Sequence, residues 1–348
     1  MSRRTISCPD CEGRGFELDR RHFLAVAGAT ATAAALPRIV LADDKAEGKA
    51  TPETLVKKLY DTLTDDQKKV VAFAWDHEDE KLGLLRTRVS NNWHITPREI
   101  ASDFYTKDQQ EICRAIYEGL FQAEWVKKID QQLQDDNGGK AWGAAQNIAI
   151  FGKPGEEKFE LVMTGRHMTV RVDGNSIDHM AFGGPTFHGH AASGFNEKVG
   201  HPGNIWWPQA LAANEVFKML DGKQREKALV SQMPAEQSVG FRGADGQFQG
   251  IPISELTADQ KELVQKTVQK VLEPYRNADR DEALECLKKQ GGLDKCSLAF
   301  YSAGDLGDDE EWDNLRLEGP SFVWYFRGTP HVHMWTNIGA DASVKLNA

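Results

Sequence analysis

The sequence predicts an α+β protein, with N-terminal helices, a central antiparallel or mixed sheet and further helices packed on it. Three observations carry this. Helix-start signals cluster between residues 51 and 120, the apolar pattern turns to strand alternation after Trp142, and helical periodicity returns before a last run of strands. Segregated runs of this kind favour α+β over a doubly wound sheet, in which strands and helices alternate. A chain of 348 residues, 40% hydrophobic and 27% charged, has the composition and length for such a core.

The elements follow in order. Thr51-Pro52 starts a helix, with Thr as cap and Pro at the first helical position, and Leu55, Leu59 and Leu63 give it an apolar stripe. Thr64-x-x-Gln67, Thr106-x-x-Gln109 and Thr257-x-x-Gln260 read as capping boxes, in which Thr accepts from the third amide and Gln reaches back to the cap amide. Their recurrence reads as independent use of a good helix start, because the residues that follow do not match over a longer period. Further helices are expected at 209–219, 221–231 and 258–274.

Ile148, Ile150 and Phe151 suggest a strand ended by Gly152 and Pro154. Phe159, Leu161 and Met163 alternate, and Met168, Val170 and Val172 alternate in the opposite parity, which predicts a β-bulge or bend at Gly165. Asp173-Gly174-Asn175 reads as a hairpin turn, with a return strand from Ile177 to Phe182. Later strands are expected at 297–302 and 321–336.

The N-terminus reads as an address. Arg20-Arg21 precede Phe23-Leu24, a weakly apolar stretch from Ala25 to Leu36, and Val40-Leu41-Ala42. That order is the pattern of a twin-arginine signal peptide over residues 1–42. A polar spacer over 43–50 and one domain over 51–345 follow. The expectation is an exported protein, periplasmic or extracellular, whose partner in transit is the twin-arginine export machinery. The segment removed holds six arginines against four acidic residues, so a chain net charge of -10 becomes -12 after cleavage. Without a basic excess there is no footprint for nucleic acid. No apolar run reaches the ~18 residues of a membrane span, so none is expected after cleavage. Cys8 and Cys11 fall in the presequence. Cys113 sits in an apolar helical pattern, and Cys286 and Cys296 allow at most one bridge.

The chemistry gathers at histidine. His331-Val332-His333 on a strand puts two imidazoles on one face, ~6.7 Å apart at Cα, where they can converge on one metal ion. His167 is the candidate third ligand, and His188-Gly189-His190 forms a second pair. His190 or Glu215 is a candidate fourth ligand or general base. Imidazole suits a transition metal such as Zn, Cu or Fe. The methionines after His167, His179 and His333 are discounted, because neighbours on a strand face opposite ways. No nucleotide loop or nucleophile elbow is present. The residues name no reaction and no small-molecule substrate. The expectation is a His-rich metal site, in a metal-dependent enzyme or in a non-catalytic metal- or ligand-binding protein.

Several motifs also form an ordered series: Trp93-His94 with Pro97, Phe151-Gly152-x-Pro154, Gly165-Arg166-His167-Met168, Gly184-Pro185-Thr186-Phe187, the Leu220-Asp221-x-x-Gln224-Arg225 core, and Gly319-Pro320 followed by His331-Val332-His333. In this series the sequence resembles the DUF3500 family over nearly all of the mature chain. The resemblance implies no established activity and hence no catalytic residues. A Gly-His-His-Leu stretch typical of that family reads Gly165-Arg166-His167-Met168 here, and its Asn-His-x-His reads Pro330-His331-Val332-His333.

Overall fold

The computed structural model describes residues 50–156, 158–174, 180–190, 203–307, 309 and 311–348. The signal-peptide reading, Cys8, Cys11, His179 and His201 lie outside the described residues.

The first half of the chain runs α1 (Pro52–Thr62), α2 (Asp65–Val71), β1 (Ala72–Phe73), a small ribbon of β2 (Glu78–Asp79) and β3 (Gly83–Leu84), α3 (Lys107–Glu118), α4 (Ala123–Asp136), β4 (Gln146–Gly152), β5 (Phe159–Gly165), β6 (Met168–Asp173) and β7 (Thr186–His190). The second half runs α5 (Trp207–Met219), α6 (Gly222–Ala228), β8 (Leu229–Val230), β9 (Ile251–Pro252), α7 (Ala258–Leu272), α8 (Asn277–Lys289), β10 (Ser297–Tyr301), β11 (Asn314–Gly319), β12 (Phe322–Arg327) and β13 (Val332–Ile338). The result is an α+β fold with one large mixed sheet, ordered β1-β4-β5-β6-β7-β13-β12-β11-β10-β8. β1 runs parallel to β4 and β8 parallel to β10, while the strands between are antiparallel.

The two halves have the same plan, and the sheet reads the same from either edge to its centre. The centre is the β7–β13 pair, where Thr186 faces Thr336 and its hydroxyl donates to the Thr336 carbonyl at 2.8 Å. Matching contacts recur on both sides. The Gln122 amide donates to the Pro274 carbonyl and the Arg276 amide to the Leu120 carbonyl; the Gly189 amide donates to the His167 carbonyl and the Gly339 amide to the Ser321 carbonyl.

The capping boxes belong to this repeat, which corrects their reading as independent helix starts. Thr64/Gln67 and Thr106/Gln109 cap α2 and α3, and the two Gln side chains bond each other at 2.8 and 3.1 Å. Asp221/Gln224 and Thr257/Gln260 cap α6 and α7, and their Gln side chains do the same at 3.1 and 2.8 Å. The fourth box starts with Asp, which caps as well as Thr, so a search for Thr alone missed it. The repeat shows in backbone and caps, and the sequences between do not match.

Most of the core lies on one face of the sheet, under the long helices. There Val56, Leu59, Ile116, Ile129, Trp206 and Val264 meet Ile148, Met163, Leu317 and Trp324. Loops cover the other face, over Phe187, Tyr325 and Trp335 at its centre. No helix among the described residues is long and apolar enough to cross a membrane.

Other expectations are corrected. The parity switch at Gly165 is a two-residue hairpin turn, Arg166-His167, between antiparallel β5 and β6, not a bulge. A turn reverses the chain and so changes which face each parity meets. The span 321–336 is two strands, broken at Gly328–His331 by a turn with a cis Thr329–Pro330 bond. The helix expected to reach 231 stops at Ala228 and continues as β8. Residues 181–183 form a short 3-10 turn instead of a strand. Cys286 and Cys296 are buried thiols not bridged to each other; burial pushes them up to about 11 and about 12.

Candidate metal centre

The repeat sets His167 at the tip of the β5–β6 hairpin, close to the start of β13. His167 has a φ of +57°, one of two non-glycine residues in the left-handed region among the described residues. Such backbones cost energy and tend to sit where function holds them. The carbonyl of Asn91 holds its amide at 3.1 Å, and its ring lies over Gly189. A Cβ on Gly189 would stand 2.8 Å from the His167 ring and 2.7 Å from the Val332 carbonyl, so only glycine leaves room here.

Gly189 faces His333 across β7 and β13. The His167 ring is thereby delivered to the loop-covered face that His333 also occupies. His331, just before β13, turns to the same side. The Nε2 atoms of His331 and His333 are 2.9 Å apart, and those of His333 and His167 are 3.3 Å apart. All three side chains are buried, and each offers a nitrogen within 4.8 Å of the others. Nitrogens ~2.0–2.1 Å from a tetrahedral ion stand ~3.3–3.4 Å apart; the His333–His167 spacing matches this, and the His331–His333 spacing is shorter.

The far nitrogens are also engaged. His167 Nδ1 is 2.9 Å from Asp136 Oδ2, and Asp136 in turn accepts from Gln132, which accepts from the Trp206 indole at 3.2 Å. His333 Nδ1 is 3.2 Å from Glu236 Oε2 and 2.6 Å from Arg327 Nη2, and Arg327 pairs closely with Glu236. A proton on each Nδ1, donated to Asp136 and Glu236, would leave the Nε2 lone pairs facing one another. That is how carboxylates orient metal-bound imidazoles. The competing tautomer of His333 accepts from Arg327 at Nδ1 and carries its proton on Nε2.

Burial makes protonation a poor substitute for a metal. Desolvation, then the charges of His167 and Arg327, push His331 down to about 2. Desolvation and then Arg327 hold His333 well below its ordinary value. Neutral rings crowded nitrogen to nitrogen repel unless a proton or a cation lies between them.

The other expected residues sit elsewhere. His188 and His190 face the helix layer, on the opposite side of β7 from Phe187 and His333. His188 stacks on Trp206 at 4.5 Å and meets Phe121 edge-on, and burial pushes it down to about 3. His190 Nδ1 is 4.0 Å from Asp136 Oδ1, so it adjoins the centre through that carboxylate without joining the cluster. Glu215 is exposed on α5 and pairs with Lys218. A cleft of about 20 Å³ lined by Asn91, Glu236 and Trp335 reaches the centre's Glu236. A wider open cleft of about 570 Å³ lies by α2 and β1, lined by Tyr60, Lys68, Phe73 and Trp75. Among the described residues it has no ligating cluster, so we place the chemistry at the histidines.

Sequence reasoning missed Asp136, Glu236 and Arg327. Asp136 did leave a signal: Asp135-Asp136 end α4 with no basic residue in the last turn, against the helix dipole. Glu236 lies in a loop and Arg327 on a buried strand, and neither carries a local signal.

A family model described as a protein of unknown function (DUF3500) matches residues 46–338. No curated protein and no solved structure matches the chain.

Proposed function

The chain belongs to the DUF3500 family, which brings no activity with it, and from the site itself we propose a metalloprotein in which His167, His331 and His333 hold one transition-metal ion. The observation that carries this is the convergence of three buried Nε2 atoms at ligand spacing, with two of the Nδ1 atoms beside carboxylates. Zn, Cu and Fe all suit three imidazoles. Among the described residues three protein ligands converge, which leaves a coordination position for water or a small molecule, as in catalytic rather than closed structural sites. A bound ion would supply Lewis acidity, an activated water or redox chemistry. The reading is therefore a metal-dependent enzyme. A non-catalytic binding protein for a small ligand is the second reading, favoured by the contact of Arg327 with His333 Nδ1, which opposes the ligating tautomer. Metal analysis of untagged protein, with water exchange at the bound ion as the second readout, separates the two.

Export is part of the proposal. Arg20-Arg21, the weakly apolar stretch and Val40-Leu41-Ala42 support a twin-arginine route to the periplasm or beyond. Arg20→Lys with Arg21→Lys should leave unprocessed protein in the cytoplasm. Normal export of that variant, or a mature N-terminus well upstream of Ala42, would remove this part of the reading.

A further inference from the structure

The two halves of the repeat differ at one matched place. Tyr60 stands four residues before the Thr64 cap and Lys68 four after it; Phe217 and Arg225 stand in the same way about the Asp221 cap. Each cation lies over its ring. Lys68 Nζ is 4.5 Å from the Tyr60 centroid, and the Arg225 guanidinium is 5.6 Å from that of Phe217. Two residues after the rings, the carbonyls of Thr62 and Met219 accept from Gln109 and Gln260, each at 2.9 Å. The residues differ, but a ring under a cation is one repeated unit.

In the second half the chain covers this unit itself. The connection from β10 to β11, over 302–313, lays Trp312 edge-on against Phe217 with centroids 5.4 Å apart. Asn214 holds the Trp312 amide at 2.7 Å and its carbonyl at 3.1 Å, and Lys218 pairs with Glu311 at 2.6 Å. An aromatic ring beside an acid is thus what seats there. In the first half the matching connection, from β4 to β5, spans only 153–158, and no aromatic ring among the described residues lies against Tyr60. The cleft of about 570 Å³ opens at this place.

Its lining suits the same chemistry. Tyr60, Phe73 and Trp75 present half-buried rings to it. Lys69 pairs with Asp66 and Lys153 with Glu156, whereas Lys68 pairs with no carboxylate among the described residues. Arg86 lies 4.0 Å and Lys158 5.9 Å from the Trp75 ring. A cleft of this volume with aromatic walls has the size and lining of a small-molecule site, where a few polar groups orient the ligand. Cations along the walls select an acid over a neutral or basic ligand.

We infer that the cleft beside α2 and β1 binds a small aromatic acid, with its ring against the Tyr60, Phe73 and Trp75 wall and its carboxylate on the Lys68 ammonium. The site is separate from the histidine cluster and stands whether or not that cluster holds a metal.

The test is calorimetric titration of the full mature chain with indole-3-acetate. Indole-3-acetamide supplies the ring without the charge, and acetate the charge without the ring. The variants are Lys68→Gln, Lys68→Arg, Trp75→Leu and, at the matched place in the covered half, Arg225→Gln. The expected result is saturable binding of one indole-3-acetate per wild-type chain. Affinity should fall at least about tenfold for both control compounds, and for indole-3-acetate in Lys68→Gln and Trp75→Leu. It should recover in part in Lys68→Arg and stay unchanged in Arg225→Gln. Should Trp75→Leu fail to fold, Lys68→Gln decides, because it alters one side chain on the surface of α2. No saturable binding by wild type, equal affinity for the amide, or equal affinity of wild type and Lys68→Gln overturns the inference. A wild-type dimer in sedimentation that Trp75→Leu separates and indole-3-acetate does not would seat a second copy in the cleft and overturn it too. Metal content, counted on the same samples, bears on the metal reading alone.

Discussion

His167 and Ser321 hold the same place in the two halves of the sheet. Each sits in the turn of an antiparallel hairpin, and each carbonyl accepts from a glycine amide, Gly189 or Gly339. Each also meets the end of the preceding helix pair. His167 Nδ1 meets Asp136, the last residue of α4, and the Ser321 backbone amide donates at 2.8 Å to Gln290 Oε1, on the residue that caps α8, while the Ser321 hydroxyl donates to the Gly339 carbonyl at 2.7 Å. One half therefore has an acid–imidazole contact where the other has a side-chain amide holding a backbone N–H. The scaffold is doubled, and the three-histidine cluster, built by His167 of the first half and His331 and His333 of the second, stands at one of the two equivalent hairpin turns among the described residues.

This pairing supplies an internal control. Asp136→Ala should weaken metal binding by about 10–100-fold, as expected for losing a carboxylate behind a ligating imidazole, with the far-ultraviolet circular dichroism unchanged. Gln290→Ala should leave metal content alone and lower stability by about 1 kcal/mol. Equal effects of the two on metal content would mean that Asp136 has no special part.

Gly189→Ala tests the close approach under His167. The new methyl would meet the imidazole at 2.8 Å and the Val332 carbonyl at 2.7 Å. Overpacking of that kind costs about 1–3 kcal/mol, and the ring is the softer neighbour. Thermal melts should fall and metal should be lost; a variant that keeps both would show that the ring does not lie where described.

The sequence was informative where chemistry is local. Thr64, Thr106 and Thr257 accept the third amide of their helices and Gln returns the bond, because a capping box is complete within four residues. His331 and His333 share a face for the same reason, through strand periodicity. Long-range pairing was not legible. That β7 meets β13 depends on the repeat, and the repeat shows in matched hydrogen bonds, not in matched side chains. The His167 turn was misread because a change of parity marks a bulge and a hairpin alike. The helices α4 and α8 went unread, although Asp136 on α4 shapes the site.

The paired caps give a stability prediction. Thr106→Ala should cost about 1 kcal/mol. Gln109→Ala should cost more, because that side chain also bonds Gln67 and the Thr62 carbonyl. Denaturant unfolding checks the order, and a smaller loss for Gln109→Ala would mean that the bond between the boxes contributes nothing.

His188 sets an acid-side pH dependence. Burial lowers it from 6.5 to about 3, so the unfolded chain takes its proton first as pH falls. The stability owed to neutral His188 is complete above about pH 6.5 and is lost between there and pH 3, at up to ~1.4 kcal/mol per unit. His188→Phe keeps a ring on Trp206 and removes the titration. Its stability should be flatter than that of wild type in this window; parallel curves would contradict the assignment.

The central claim is tested most directly by elemental analysis of the untagged mature protein beside His331→Ala with His333→Ala. The account predicts about one transition-metal ion per wild-type chain and none in the double variant, with the fold kept because Val332 and Met334 carry the core side of β13. Metal that stays in the double variant, or a wild-type chain that takes up no zinc, copper or iron when offered each, would contradict it.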